Sequence, residues 1–126
     1  MISTAHFSAR ELSCHHCGQC HLDAAFLAEL EALRVEFGRP MELSSGYRCP
    51  EYNDTVSHTG RHGPHTIAAV DVRIAGADAY DLISVAMSRR WRGIGVKQKG
   101  PWGDRFIHLD NLPNGERSPR PRVWSY

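Results

Sequence analysis

Residues 57–74, SHTGRHGPHTIAAVDVRI, pass from a loop rich in Gly, His and Ser into an alternating stretch that predicts a β-strand over residues 69–74. Apolar residues recur every three or four positions over residues 22–37 and 77–91, which predicts two main helices, the first with Asp23 as its N-cap. The other predicted elements are a short helix beginning at Pro50 and strands over residues 41–45, 93–97 and 105–110. This order predicts an α+β fold in which a small antiparallel sheet packs against two main helices.

The composition is that of one ordinary globular domain, residues 1–126, of which 41% are hydrophobic and 23% charged. The net charge of +1 gives no overall field that would attract nucleic acid. No apolar stretch approaches the ~20 residues of a membrane span, and the N-terminus lacks the basic and apolar regions of a signal peptide. We therefore expect a monomer that is cytoplasmic as synthesised and has neither nucleic-acid nor membrane partners.

The C-terminal tail, residues 113–126, is rich in Pro and Arg, and we expect it to wrap over the surface. Trp124 and Tyr126 would hold its end in place. Its three clustered arginines, which we expect on a solvated face, are Arg117, Arg120 and Arg122. An anionic cell-wall polymer is the alternative partner for this cluster.

Histidines and acids gather around the predicted strands 69–74 and 105–110. The loop contributes His58, His62 and His65, and the strands contribute Asp71 and His108. Two imidazoles and one carboxylate are a ligand set that zinc uses in hydrolases, with a fourth position left for water. A carboxylate must still accept the proton of that water. Asp104 and Asp110 flank His108, and strand spacing of roughly 6.5 Å between residues two apart favours Asp110, either as this proton acceptor or as a group that supports the metal ligand. Asp104 could serve only if the turn at Gly103 brings it back toward the metal.

Four ordered motifs resemble one family of metallopeptidases. They are SGYRCPEYN at residues 45–53, GPHTIAAVDV at 63–72, GIGV at 93–96 together with RFIHLD at 105–110, and RPRVWSY at 120–126. In these motifs the sequence is similar to the zinc D-alanyl-D-alanine carboxypeptidases, to phage L-alanyl-D-glutamate endopeptidases and to the hedgehog-like metallopeptidase fold. The resemblance covers nearly the whole chain.

The resemblance implies a zinc-dependent peptidase that hydrolyses peptidoglycan stem peptides. It implies that His65, Asp71 and His108 hold the catalytic zinc. Arg48 would orient the substrate, together with Tyr47, because a guanidinium can hold a carboxylate through two hydrogen bonds. A phage-type release would bring a cytoplasmic product to the cell wall. The alternatives are a catalytically weak or inactive metal-binding, wall-binding module and a virion structural protein of the same fold.

The segment between the first two implied ligands differs from the family pattern. His65 and Asp71 are six positions apart where the pattern has seven, Pro64 replaces a serine, and Ala68 stands where a glycine is expected. A straight strand would separate positions 65 and 71 by about 20 Å. We therefore expect a sharp bend between them.

Cysteines form a second group of possible metal ligands. Three lie in a C-x-x-C-x-x-C motif within the loop 14–20, and the set consists of Cys14, Cys17, Cys20 and Cys49. Closely spaced thiols in a chain without a signal peptide favour metal binding over disulfides. We expect a structural zinc held by these four thiolates, for one of which His15, His16 or His21 could substitute. Disulfides formed after release and free buried thiols remain alternatives.

Overall fold

A computed structural model describes residues 2–57 and 59–126 and has the α+β architecture that the sequence predicts. Within that part of the chain the helices and strands are, in order, α1 Ala9–Leu12, α2 Ala24–Phe37, β1 Glu42–Ser45, α3 Pro50–Val56, β2 Ala69–Arg73, α4 Gly76–Ser88, β3 Gly93–Lys97, β4 Phe106–Asp110 and β5 Arg122–Ser125. Single turns of 3-10 helix lie at Gly60–His62, Pro64–Thr66 and Trp102–Asp104. None of the helices described is both long and apolar enough to cross a membrane.

Helix α2 begins and ends where its capping residues predict. The Asp23 side chain accepts a hydrogen bond from the Phe26 N–H, and Gly38 adopts a left-handed conformation with φ of 72° at the other end. The apolar face of α2 is buried and packs against α4. Both main helices contribute side chains to one continuous hydrophobic core.

The strands are ordered β1-β2-β4-β3-β5. Neighbouring strands are antiparallel except β5, which runs parallel to β3. The sheet is antiparallel, as expected, over β1 to β4 and becomes mixed only where β5 joins its edge. The tail does not simply wrap over the surface, because residues 122–125 hydrogen-bond to β3 as a fifth strand.

Alternation along the strands gives the sheet two different faces. On one face Val70, Ile94 and Leu109 lie side by side on three strands, and all three are buried in the core. On the other face the register aligns Asp71 with His108 and His108 with Gly95. The sheet thus separates an apolar core from a polar surface that carries the predicted metal ligands.

Candidate metal centre

The three predicted metal ligands come together on the polar face of the sheet. Asp71 on β2 lies directly opposite His108 on β4. His65 reaches them from the 3-10 turn Pro64–Thr66, after which the chain bends at Ile67, with φ of −128° and ψ of −64°. The expected sharp bend is present, although one residue and the glycine of the family pattern are missing.

The donor atoms have the spacing of a tetrahedral site. Nε2 of His65 and Nδ1 of His108 each lie 3.2 Å from Oδ1 of Asp71, and all three atoms are within 4.8 Å of one another. Zinc binds imidazole nitrogen and carboxylate oxygen at about 2.0–2.1 Å, so neighbouring donors of a tetrahedron are about 3.4 Å apart. The donor set and its spacing therefore fit a zinc ion.

Hydrogen bonds fix which nitrogen of each imidazole carries a proton. Nδ1 of His65 lies 2.9 Å from the Gly46 carbonyl oxygen, which can only accept, so Nδ1 donates and Nε2 keeps its lone pair. Nε2 of His108 donates to Oδ2 of Asp110 at 2.7 Å, which leaves the Nδ1 lone pair free. Both free lone pairs face the Asp71 carboxylate, an arrangement that needs a cation, either a proton or a metal ion, between the donors.

The pKa values of the unliganded groups agree with this need for positive charge. Burial opposes ionisation of Asp71, but the charges and hydrogen bonds of His65 and His108 hold the pKa of this carboxyl well below its usual range. Burial also opposes protonation of His108, yet hydrogen bonds to Asp110 and Asp71 raise its pKa. Both shifts favour a negative Asp71 with positive charge beside it, a condition that a bound cation also meets.

Asp110 lies behind His108 and does not face the open cavity. It is fully buried, and its carboxylate accepts two hydrogen bonds from Arg120, Nε to Oδ1 at 2.9 Å and Nη2 to Oδ2 at 2.8 Å. Burial opposes ionisation, but the Arg120 hydrogen bonds and then His108 lower the pKa of Asp110 to about 2. This position suits a group that orients His108, whereas the predicted role as proton acceptor is not supported.

Arg120 contradicts the expectation that the arginines of the tail lie on a solvated face. Only 7% of its surface is exposed, because its guanidinium pairs with Asp110 at the end of β4. Arg117 and Arg122 are exposed, as expected. The sequence gives no local sign of this pair, since the two residues are ten positions apart and belong to different elements.

Two of the other predicted site residues lie away from the centre, and one lies at it. Asp104 is exposed in the 3-10 turn Trp102–Asp104 and does not line the cavity, because the turn at Gly103 does not carry it back to the sheet. Tyr47 is 5% exposed, with its ring against the edge of His21, so it is a core residue rather than part of the cavity wall. Arg48 does line the cavity, and its Nη2 lies 3.4 Å from Oδ2 of Asp71.

A cavity of about 980 Å³ opens in front of the three ligands. Its wall contains five arginines, Arg48, Arg61, Arg117, Arg120 and Arg122. Among the residues that the structure describes, Asp71 is the one acidic side chain in the wall, and no carboxylate pairs with Arg61, Arg117 or Arg122. The cavity is therefore strongly cationic.

Several residues that shape the site were not predicted as part of it. Trp124 on β5 lies opposite Gly95 and places its ring 5.0 Å from that of His108, so it covers this ligand. Asn53 is fully buried, accepts from Arg48 and donates to Thr59, which links α3 to the histidine loop. The motifs RPRVWSY and SGYRCPEYN contain both residues, but the motifs alone do not say what each side chain contacts.

The cysteines are only partly brought together. The sulfur atoms of Cys14, Cys17 and Cys49 lie within 4.8 Å of one another. Cys20 is outside this group and packs against the core. The predicted four-cysteine ligand set is therefore wrong in its inclusion of Cys20. Of the loop histidines, His62 and His65 line the cavity, while His58 lies outside the described residues.

Comparison with known families agrees with this geometry. The family model described as Peptidase M15 matches residues 5–110, a span that contains all three candidate ligands of the metal centre. Members of this family are zinc D-Ala-D-Ala carboxypeptidases and endopeptidases. No curated protein and no solved structure matches the chain. Because the family match covers most of its length, the chain belongs to the peptidase M15 family.

Proposed function

We propose that the protein is a zinc-dependent peptidase that hydrolyses peptidoglycan stem peptides, as a D-Ala-D-Ala carboxypeptidase or an endolysin-type endopeptidase. The observation that carries this proposal is the convergence of two imidazole lone pairs and one carboxylate oxygen in a cationic cavity. His65, Asp71 and His108 would hold the zinc. A bound zinc ion lowers the pKa of a coordinated water to about 7 and polarises the scissile carbonyl.

The surrounding residues support this chemistry by fixing the ligands. Asp110, which Arg120 holds in turn, accepts from His108 and keeps its Nδ1 aimed at the centre. The Gly46 carbonyl does the same for His65. Carboxylate and carbonyl partners of this kind set the tautomer and orientation of metal-binding histidines.

Proton transfer needs a group that faces the cavity, and we assign it to His62. Asp110 is enclosed and Asp104 lies elsewhere, whereas His62 is exposed in the cavity wall at the end of the turn Gly60–His62. Imidazole is the side chain most often used for acid–base catalysis near neutral pH. His62 would accept the proton of the attacking water and pass it to the leaving amine.

The charge of the cavity supports an anionic substrate. Stem peptides carry free carboxylates, and Arg61, Arg117 and Arg122 offer guanidinium groups with no acidic partner among the described residues. Arg48, next to the metal ligands, would hold a carboxylate or carbonyl close to the scissile bond. An acidic peptide would thus be bound along the cavity with its reacting carbonyl at the metal centre.

A second candidate is a wall-binding module of the same fold that turns substrate over weakly or not at all. The observation that favours it is that, within the described wall, no carboxylate other than Asp71 is available as a proton acceptor. Both candidates bind metal and peptide, so binding alone does not separate them.

Purified stem peptides, followed by mass spectrometry after incubation with zinc-loaded protein, test the proposal. We expect cleavage at one bond, loss of cleavage after chelation, and recovery when zinc is added. The variant His108→Ala should be inactive, and Asp104→Asn, a change at an exposed position, should be fully active. Peptide binding without cleavage by the zinc-loaded wild-type protein would establish the second candidate instead.

A further inference from the structure

We propose a second, structural zinc site formed by Cys14, Cys17, Cys49 and His16, separate from the catalytic centre. The three sulfur atoms lie within 4.8 Å of one another, and Nδ1 of His16 lies 3.5 Å from Sγ of Cys49. The proposal does not depend on peptidase activity, since none of these residues lines the cavity.

The spacing of the donor atoms fits a zinc site, and the four cysteines are free rather than joined in disulfides. With zinc–sulfur bonds of about 2.3 Å and zinc–nitrogen bonds of about 2.0–2.1 Å, neighbouring sulfurs of a tetrahedron are about 3.8 Å apart, and a sulfur and a nitrogen about 3.6 Å. The spacing of His16 and Cys49 matches the second value. A disulfide would join two of the three sulfurs and leave the third thiol beside it without a role.

The backbone around Cys14 forms a tight turn suited to metal binding. The Gly18 N–H donates to the Cys14 carbonyl at 2.8 Å, and the Cys14 N–H donates to the Gln19 carbonyl at 2.7 Å. Gly18 has a φ of 74°, which a residue with a side chain rarely adopts, so the glycine permits the chain to double back after Cys17. The turn brings both cysteines of the C-x-x-C pair to the same side.

Backbone N–H groups point at two of the three sulfur atoms, those of Cys14 and Cys49. Sγ of Cys14 accepts from the N–H of His16 at 3.4 Å and from that of Cys49 at 3.3 Å. Sγ of Cys49 accepts from the Tyr52 N–H at 3.4 Å. Hydrogen bonds of this kind favour the charged form of the acceptor, which is the form that binds zinc.

His16 is better placed than Cys20 to complete the site. It lies between Cys14 and Cys17 in the turn, its ring stacks on Tyr52, and its Nδ1 faces Cys49. Cys20 is half-buried against the core and outside the sulfur group. Nδ1 of His16 already lies beside Cys49, the ligand that joins the turn to the SGYRC segment.

This site would fasten the N-terminal segment to the part of the chain that holds a catalytic ligand. Cys49 follows Arg48, whose N–H donates to the His65 carbonyl at 2.9 Å. Gly46, three residues before Cys49, accepts from the His65 ring. A metal at Cys49 would thus restrain the peptide that positions His65.

Metal analysis combined with cobalt substitution tests the inference on the full chain, purified under reducing conditions. Thiolate ligands give Co²⁺ an intense sulfur-to-metal charge-transfer absorption that a site of histidine and aspartate lacks. We expect two metal ions per wild-type chain and this absorption band. His108→Ala should keep the band and lose one ion, and Cys17→Ser, a change at an exposed position, should lose both the band and one ion.

Three further variants test the ligand set. Cys20→Ser should retain the metal and the band. His16→Ala should weaken zinc binding at least about tenfold in competition with a chelator, whereas His15→Ala, a change at the adjacent exposed histidine, should leave it unchanged. Absence of the band in the wild-type protein, its survival in Cys17→Ser, loss of metal in Cys20→Ser, or a disulfide detected by intact mass would each overturn the proposal.

Discussion

Replacing Arg120 by methionine removes the charge partner of a fully buried acid. Side-chain exposure is 4% for Arg120 and 0% for Asp110. Breaking one side of such a pair costs about 3–5 kcal/mol, and we expect the lower end, about 3 kcal/mol, because His108 still hydrogen-bonds to Asp110. The free energy of unfolding of the metal-free protein, measured by urea denaturation at neutral pH, gives this value directly.

Arg122→Met is the matched control. Both guanidinium groups lie over the Trp124 ring, at 5.2 Å for Arg120 and 5.3 Å for Arg122, so each variant loses a similar cation–π contact of about 0.5–1 kcal/mol. Of these two arginines, Arg120 is the one that hydrogen-bonds to Asp110. A loss of stability in Arg120→Met that does not exceed that of Arg122→Met would refute the assignment of Arg120 as the partner of a buried charge.

The pH dependence provides a second check on the same variant. Asp110 has a folded-state pKa of about 2, below its ordinary value of 3.8, so in the wild type its contribution to stability is present above about pH 4 and is lost as the pH falls toward 2. Once Asp110 is protonated, it is neutral, and the absence of Arg120 no longer leaves a buried negative charge without its ion-pair partner. The stability gap between wild type and Arg120→Met should therefore narrow as the pH is lowered. The same variant should bind zinc about 10–100-fold more weakly, since Asp110, the acceptor of His108, is no longer held in place by the Arg120 guanidinium.

Three further predictions concern other parts of the site. His62→Gln should lower kcat about 10²–10⁴-fold with unchanged zinc content, and an unaltered kcat would remove His62 as the proton carrier. Gly93→Ala should destabilise the fold by about 1–3 kcal/mol in thermal denaturation, because the added methyl overlaps the Asp110 carboxylate, whereas Gly103→Ala, where a methyl meets nothing within 4 Å, should be nearly neutral. Arg117→Gln should raise KM for an acidic peptide a few-fold at low salt and have little effect at high salt; equal effects on an uncharged peptide would contradict the electrostatic role.

Helix ends and strand positions are predicted well from the sequence because they depend on residues close together in the chain. Helix α2 ends at Gly38, where the left-handed conformation favours glycine. The glycine at this position in the sequence is enough to predict the end of the helix. Strands β2 and β4 alternate because one face packs in the core. Their antiparallel register then places Asp71 opposite His108, a pairing that the separate motifs are consistent with but do not specify.

Features that depend on distant partners could not be predicted in the same way. Arg120 resembles any arginine of a polar tail until its buried acid is known. β5 is four residues long and pairs in parallel with a strand almost thirty positions earlier, so no hairpin signal precedes it. Cys20 continues the regular spacing of the cysteine motif, but the turn at Gly18 brings the other cysteines, and not Cys20, toward Cys49.

The position of Arg120 and Trp124 late in the chain has a consequence for biosynthesis. A nascent chain on the ribosome that has reached residue 110 already contains all three donor residues, but it lacks the strand that covers His108 and the cation that neutralises Asp110. Prematurely terminated products that stop before residue 120 would carry the whole ligand set with a loosely oriented imidazole. Arg120 and Trp124 are therefore translated after all three donors, and the centre is complete only once both have been synthesised.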